Sequence, residues 1–341
     1  MNVTTTTTTT TTATGYRELS GITPSGELTL GNYLGAMRRF AGRHDGGFYF
    51  VADLHALTTD HDPKTLRELT HRTAALMLAC GLDPLRATVF VQSDVSEHVE
   101  LSYLLESTAH VGELNRMIQF KEKGGRPGTR ASLFTYPCLM AADILLYDTD
   151  QVPVGADQSQ HVELTRDLAE RFNGRYGETF VVPELLSVEV TARVRNLAAP
   201  ERKMSKSDNG PGVIRLLDDA DQVRRTVRRA ATDSDGALVH DPAAKPGLAN
   251  LAEITSALTG RTPEQVLADC RGYADLKHAC AEAVIAELAV LQANYTRIMD
   301  DPGQLEQTLA MGARRARSIA RATLDRARTA IGLGPCPAAA R

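Results

Sequence analysis

The chain has 341 residues, 43% of them hydrophobic and 23% charged, enough for one large core or two modest domains. A net charge of −4 at pH 7 and a pI near 6.2 exclude a general basic field for nucleic acid, so any such partner needs a local patch. No apolar run reaches membrane-spanning length. The five cysteines, Cys80, Cys138, Cys270, Cys280 and Cys336, form no C-x-x-C pair, which argues against a disulfide framework or zinc site and for a reducing cytoplasm.

The chain opens on an unbroken threonine tract from Thr4 to Thr12; without the basic and apolar regions of a secretion signal, residues 1–15 read as a disordered tail. Leu19 and Ile22 flank a short strand, broken by Thr23-Pro24-Ser25-Gly26, and a helix from about Leu30 carries Tyr33, Leu34 and Met37 at helical spacing. A second strand runs from Phe48 to Val51. Asp62 as N-cap, Pro63 at the first position and Gly81 as the stop frame a helix, and a third strand spans Thr88 to Val91. Strands alternating with helices of this length predict an α/β fold with a Rossmann-like parallel sheet. Beyond Asp208 the alternation ends. Thr262-Pro263-Glu264-Gln265 has a capping-box pattern, Asp301-Pro302 starts another helix and Gly332 closes the last. The expected organisation is a Rossmann-like domain with a helical insertion over 16–207, a C-terminal α-helical domain over 208–332 and a tail over 333–341.

Two short stretches point to phosphate chemistry. In "PSGELTLGNY" Gly26 and Gly31 sit in a strand-to-helix turn, where a ligand can approach the backbone and a helix start offers free N–H groups to anions. Alone, such a turn is usually only a turn. In "LAAPERKMSKSDNGPG" a loop rich in breakers carries Lys203 and Lys206, with Ser205 and Ser207 beside them. Cations on a mobile loop can close on a polyphosphate and follow its charge as it builds, which is what phosphoryl chemistry needs from a protein.

Thr29-Leu30-Gly31-Asn32 resembles the T-x-G-N nucleotide-binding signature of class I aminoacyl-tRNA synthetases, and Lys203-Met204-Ser205-Lys206-Ser207 matches that class's second signature. The block from Thr135 to Asn173 resembles tryptophanyl-tRNA synthetases of the bacterial type, and similarity extends from about Leu19 to Gly332. The resemblance implies activation of L-tryptophan with ATP and Mg²⁺, transfer to tRNA(Trp), a helical domain that reads the anticodon, and a homodimer. Tyr136, Met140, Asp143 and Tyr147 fall on one helix face, where a carboxylate is costly unless a donor meets it. In the family the matching Asp accepts the indole N–H, so Asp143 takes that role by resemblance. Tyr136 and Gln158 correspond to residues near the α-amino group, and Val152 and Val154 to pocket walls. Thr23, Pro24, Ser25, Gly31 and Asn32 fall in the nucleotide-binding turn. Gly155, Ala156 and Asp157 match the segment along the ATP ribose, Val194 a residue beside the adenine, and Lys123 a secondary phosphate contact. His55, at a strand end where open α/β sheets bind ligands, is as a lone histidine better read as structural.

The chain departs from the family at Leu19 and Thr23, where Phe and Gln are usual, and at Ala156, which replaces a common Glu. These changes predict altered sensitivity to tryptophan-mimicking inhibitors, as in an auxiliary, resistant synthetase. Candidate RNA contacts are Arg224, Arg225, Arg228 and Arg229, and the helix with Arg314, Arg315, Arg317, Arg321, Arg326 and Arg328, although a solvated helix face explains such stripes equally well. Alternative readings are a tyrosyl-tRNA synthetase, a small-molecule adenylyltransferase, or a catalytically silent paralogue that binds amino acid or RNA.

Overall fold

The computed structural model describes residues 18–42, 46–149, 151–154, 159–187, 194–206, 208 and 210–334. The threonine tract and the last seven residues, 335–341, lie outside them. Strands β1 (Leu19–Ile22), β2 (Phe48–Val51) and β3 (Thr88–Val91) form a parallel sheet in the order β1-β2-β3, with Leu19 opposite Phe48 and Phe48 opposite Thr88. Helices α1 (Leu30–Gly35), α2 (Asp53–Ala56) and α3 (Pro63–Ala79) make the crossovers, joined by a 3₁₀ turn over Met37–Gly42. As the sequence predicts, Asp62 caps α3 by accepting from Thr65 N at 2.8 Å, and Gly81 ends it with φ +101°.

The helices α4 (Glu97–Glu106), α5 (Val111–Asn115), α6 (Ile118–Lys123) and α7 (Ala131–Leu145) follow. A second parallel pair, β4 (Gln151–Val154) with β5 (Glu184–Ser187), spans α8 (Ser159–Tyr176), and β4 lies beside β1. The sequence reading leaves this pair unmarked, since Pro153 within β4 weakens the strand signal. The C-terminal half is helical: α9 (Ala220–Arg228), α10 (Pro246–Thr259), α11 (Pro263–Ala268), α12 (Tyr273–Met299) and α13 (Pro302–Ala330). The expected capping box at Thr262 and the Asp301 cap are both present.

Every residue of β2 and β3 is buried, as a parallel sheet covered on both faces requires. Tyr49, Val51, Val89 and Val91 point into one core with α3 and the helices of the C-terminal half; Phe48, Phe50 and Phe90 point into the other, with α4, α7 and α8. Ala313, Ala316, Ala320, Leu324 and Ala327 of α13 join that second core. The last helix therefore returns to the sheet. Its approach is so close that a Cβ at Gly312 would stand 1.8 Å from Val89 O.

Candidate active site

The turn that leads from β1 into α1 and the lysine loop meet. Thr29 caps α1: its Oγ1 accepts from Asn32 N, and Asn32 Oδ1 accepts from Thr29 N at 3.0 Å. Two residues of the T-x-G-N signature thus shape the turn from within. Gly31 and Gly26 leave room for the loop itself, because a Cβ there would stand 3.2 Å from Met204 O and 3.1 Å from Lys206 O. Met204 is buried in the core beneath, with Leu28, Leu30 and Val194. Lys206 Nζ donates to Thr23 O at 2.7 Å, while Lys203 is exposed. Burial lowers the Lys206 ammonium to about 8. Pro24 is buried and Ser25 exposed on the same turn.

A freely hinged loop is the sequence expectation; the geometry shows a pinned one. Buried Asn196 accepts from Ala198 N and Ala199 N and donates to Asp208 Oδ2 at 2.8 Å, and Asp208 Oδ1 accepts from Gly210 N. Gly212, at φ +91°, packs so tightly that a Cβ would meet Asn196 Oδ1 at 2.2 Å. Asn196, Asp208 and Gly212 tie the base of the loop together, and Met204 and Lys206 fold back against the turn while Lys203 is exposed. Beside that turn lies a cavity of about 520 Å³ lined by Ser25, Gly26, Arg72, Lys206, Arg215 and Asp218. Glu27 bridges Arg72 at 2.8 Å and Arg215 at 3.0 Å, tying the turn to α3 and to the segment after the loop.

Asp143 lies inside α7 and is 3% exposed. Its Oδ1 accepts from Gln92 Nε2 and His98 Nδ1, both at 2.6 Å, and its Oδ2 is 2.8 Å from His55 Nε2. Burial opposes its charge, but hydrogen bonds from His55 and His98 outweigh it and hold the carboxyl below the usual carboxylate range. Gln92 is locked in orientation because its Oε1 accepts from Leu54 N of α2. His55 lies in α2, the short helix after β2, and its ring meets Tyr136 edge-on at 6.2 Å. Tyr136 hydrogen-bonds His161 through its hydroxyl, which burial pushes up to about 12. Met140 is half-buried on the same helix. An ionised, buried acceptor beside a half-open aromatic wall suits a planar ligand with one N–H donor.

The family described as "tRNA synthetases class I (W and Y)" matches residues 13–289. The chain is 53% identical to tryptophan–tRNA ligase 1 of Streptomyces coelicolor over 334 residues, covering 95% of this chain and 99% of that protein. This is a class I tryptophanyl-tRNA synthetase. Solved synthetases agree: that of Mycoplasma pneumoniae superposes with a TM-score of 0.87 at 38% identity, covering 94% of this chain and 98% of its own. That of Campylobacter jejuni, complexed with ADP and tryptophan, gives 0.78 at 34%, covering 93% and 100%.

Other residues anticipated for the synthetase site are distributed unevenly. Val152 is buried in β4, and Val154 ends that strand, its side chain outside the described residues. Gly155, Ala156, Asp157, Gln158 and Ser207 also lie outside them, as does the side chain of Lys123, the last residue of α6. Leu19 is buried in the second core. The sequence reading missed Gln92, His98 and Glu27, and took His55 for structural. The one signal toward this buried support was Tyr147, which the helical spacing places on the Asp143 face.

Four arginines of the basic stripe on α13 reach protein partners. Arg315 donates to Pro84 O at 3.0 Å, Arg317 to Asp94 O, Arg326 to Asp148 and Arg328 to Glu100. These four arginines tie the helix to the sheet domain, whereas Arg321 pairs with Asp325 on the same helix at 3.2 Å and Arg314 is exposed. On α9, Arg224 pairs with Glu282 at 2.9 Å, whereas exposed Arg225, Arg228 and Arg229 make no side-chain ion pair or hydrogen bond among the described residues.

Proposed function

We infer that the chain is a tryptophan–tRNA ligase, activating L-tryptophan with ATP to tryptophanyl-adenylate and esterifying tRNA(Trp). The observation that carries this reading is the ionised Asp143 carboxylate, buried at the edge of a sheet whose neighbouring turn is roofed by Lys206. The tryptophan carboxylate attacks the α-phosphorus in line and pyrophosphate leaves, with no covalent enzyme intermediate. Asp143, Tyr136 and Gln158 orient the amino acid, while Gly31, Asn32 and Asp157 hold the nucleotide. Lys206, and Lys203 beside it, neutralise charge on the departing pyrophosphate. A ligand whose ring brings no donor to the Asp143 Oδ2 position forgoes one hydrogen bond to a buried carboxylate, which favours the indole N–H.

Among the described residues no cluster of three or more His, Cys, Asp and Glu side chains could cage a metal ion. In this reading Mg²⁺ bound with the nucleotide would add positive charge to that supplied by Lys203 and Lys206. Residues 208–332 receive the anticodon, with the free arginines of α9 as their cationic face. Exposed Val99, Tyr103, Val111 and Ile118 on α4 to α6 supply an apolar surface for a second copy. No helix among the described residues is long and apolar enough to cross a membrane, and a cytoplasmic enzyme is part of the proposal.

Amino-acid-dependent ATP–pyrophosphate exchange tests the whole reading. Exchange with tryptophan, and little with tyrosine or with none, is expected; exchange driven by tyrosine, or none with either, would overturn it. Because the chain contains no tryptophan, ligand fluorescence reports binding without background.

A further inference from the structure

Asp143 is supported from behind by groups that never face the pocket. His98, on α4, is fully buried; its Nδ1 reaches Asp143 Oδ1 at 2.6 Å and its Nε2 reaches Tyr147 Oη at 2.8 Å. Tyr147, just past the end of α7, is also fully buried and stacks on Phe48 at 4.4 Å. Phe50 and Phe90 flank the His98 ring at 5.9 and 6.0 Å. Burial, then the nearby Asp143 carboxylate, raises the Tyr147 hydroxyl well above its ordinary range, so it stays an O–H donor. Donation from Tyr147 to Nε2 leaves the proton on Nδ1, the tautomer that the Asp143 carboxylate accepts. Gln92 supplies the second donor to the same oxygen.

Oδ1 is thus saturated on the core side. Oδ2 faces His55, whose side chain is 14% exposed and sits against Tyr136, on the open side of the helix. We propose that His98 and Tyr147 are positioning residues for tryptophan selection, a buried relay that fixes the tautomer and orientation of the Asp143 support so that Oδ2 alone is presented to the indole N–H. This rests on the tryptophan–tRNA ligase reading above. A bare carboxylate could turn or take up a proton when an N–H-deficient ligand enters; one held by two donors on Oδ1 cannot, and the mismatch then stays costly.

The test compares L-tryptophan with β-(3-benzothienyl)alanine, a near-isostere with sulfur in place of N–H, in pyrophosphate exchange. Tyr147→Phe keeps the ring stack and removes only the relay's last donor; His98→Asn keeps one donor for Asp143 and loses the link to Tyr147. Tyr147→Phe is expected to lower kcat/KM for tryptophan about tenfold, through KM, and His98→Asn somewhat more, with KM for ATP unchanged. The benzothienyl substrate should lose little, so discrimination between the two amino acids shrinks about tenfold. A double variant no worse than His98→Asn would place both residues in one chain. Equal losses on both amino acids, or no change in their ratio in variants that bind ATP normally, would overturn the proposal. Wild-type enzyme without tryptophan-dependent exchange would instead overturn the functional reading beneath it.

Discussion

Lys206 shows how one side chain can carry both a structural and a chemical signal. Its ammonium is bound to a main-chain carbonyl and desolvated, so in free enzyme it loses its proton as pH rises through about 8. The value of kcat/KM for ATP should therefore fall on the alkaline side of about pH 8, and the limb of kcat should lie higher because bound phosphates favour the charged form. Lys206→Arg should abolish that limb while lowering the plateau, and Lys206→Ala should cut the activation rate far more than tryptophan affinity; initial-rate profiles decide both. The acceptor is the backbone of Thr23, which any residue at that position supplies. Thr23→Gln should leave the alkaline limb in place and change only the inhibition constants of tryptophan mimics; identical constants would remove the idea of an inhibitor-tolerant pocket. The signatures around Lys206 were legible in sequence because their residue types are rare in that order. Gln92 and His98 were not, since a polar residue on an apolar element announces nothing until tertiary packing shows what it faces.

At the level of elements, β1, β2, β3 and α3 could be read from the chain because alternation, caps and stops all agreed. The pair β4 and β5 could not, with a proline inside one strand and a long helix between them. Nor could the docking of α13 on the sheet, because arginines read alike whether they meet phosphate or carbonyl. Gly312 marks where that helix touches the sheet. An alanine in a helix interior usually stabilises by up to about 1 kcal/mol over glycine. Here a Cβ would press on Val89 O, so Gly312→Ala should destabilise by about 2–4 kcal/mol and lower the denaturation midpoint. Replacing a solvent-facing alanine-tolerant position elsewhere on the helix should not do so.

Across the molecule, cationic residues divide into two populations. Arg315, Arg317, Arg326 and Arg328 of α13 make contacts to the sheet domain, while Arg225, Arg228 and Arg229 at the end of α9 remain open to solvent. Changing these three to glutamate should leave pyrophosphate exchange intact, raise KM for tRNA at least tenfold and flatten its salt dependence, by roughly 0.7–0.9 in slope for each phosphate no longer neutralised. Arg326→Ala should do the opposite, lowering stability with tRNA KM nearly unchanged; aminoacylation at graded salt separates the two. The grip of α13 has a temporal side as well. Arg317 and Arg328 clasp α4 and the turn before it at Asp94, Glu97 and Glu100, around the stretch that bears His98. A chain still emerging from the ribosome lacks this clasp until its final helix is free. A product cut short before α13 would therefore carry both signature motifs without this support for the stretch around His98.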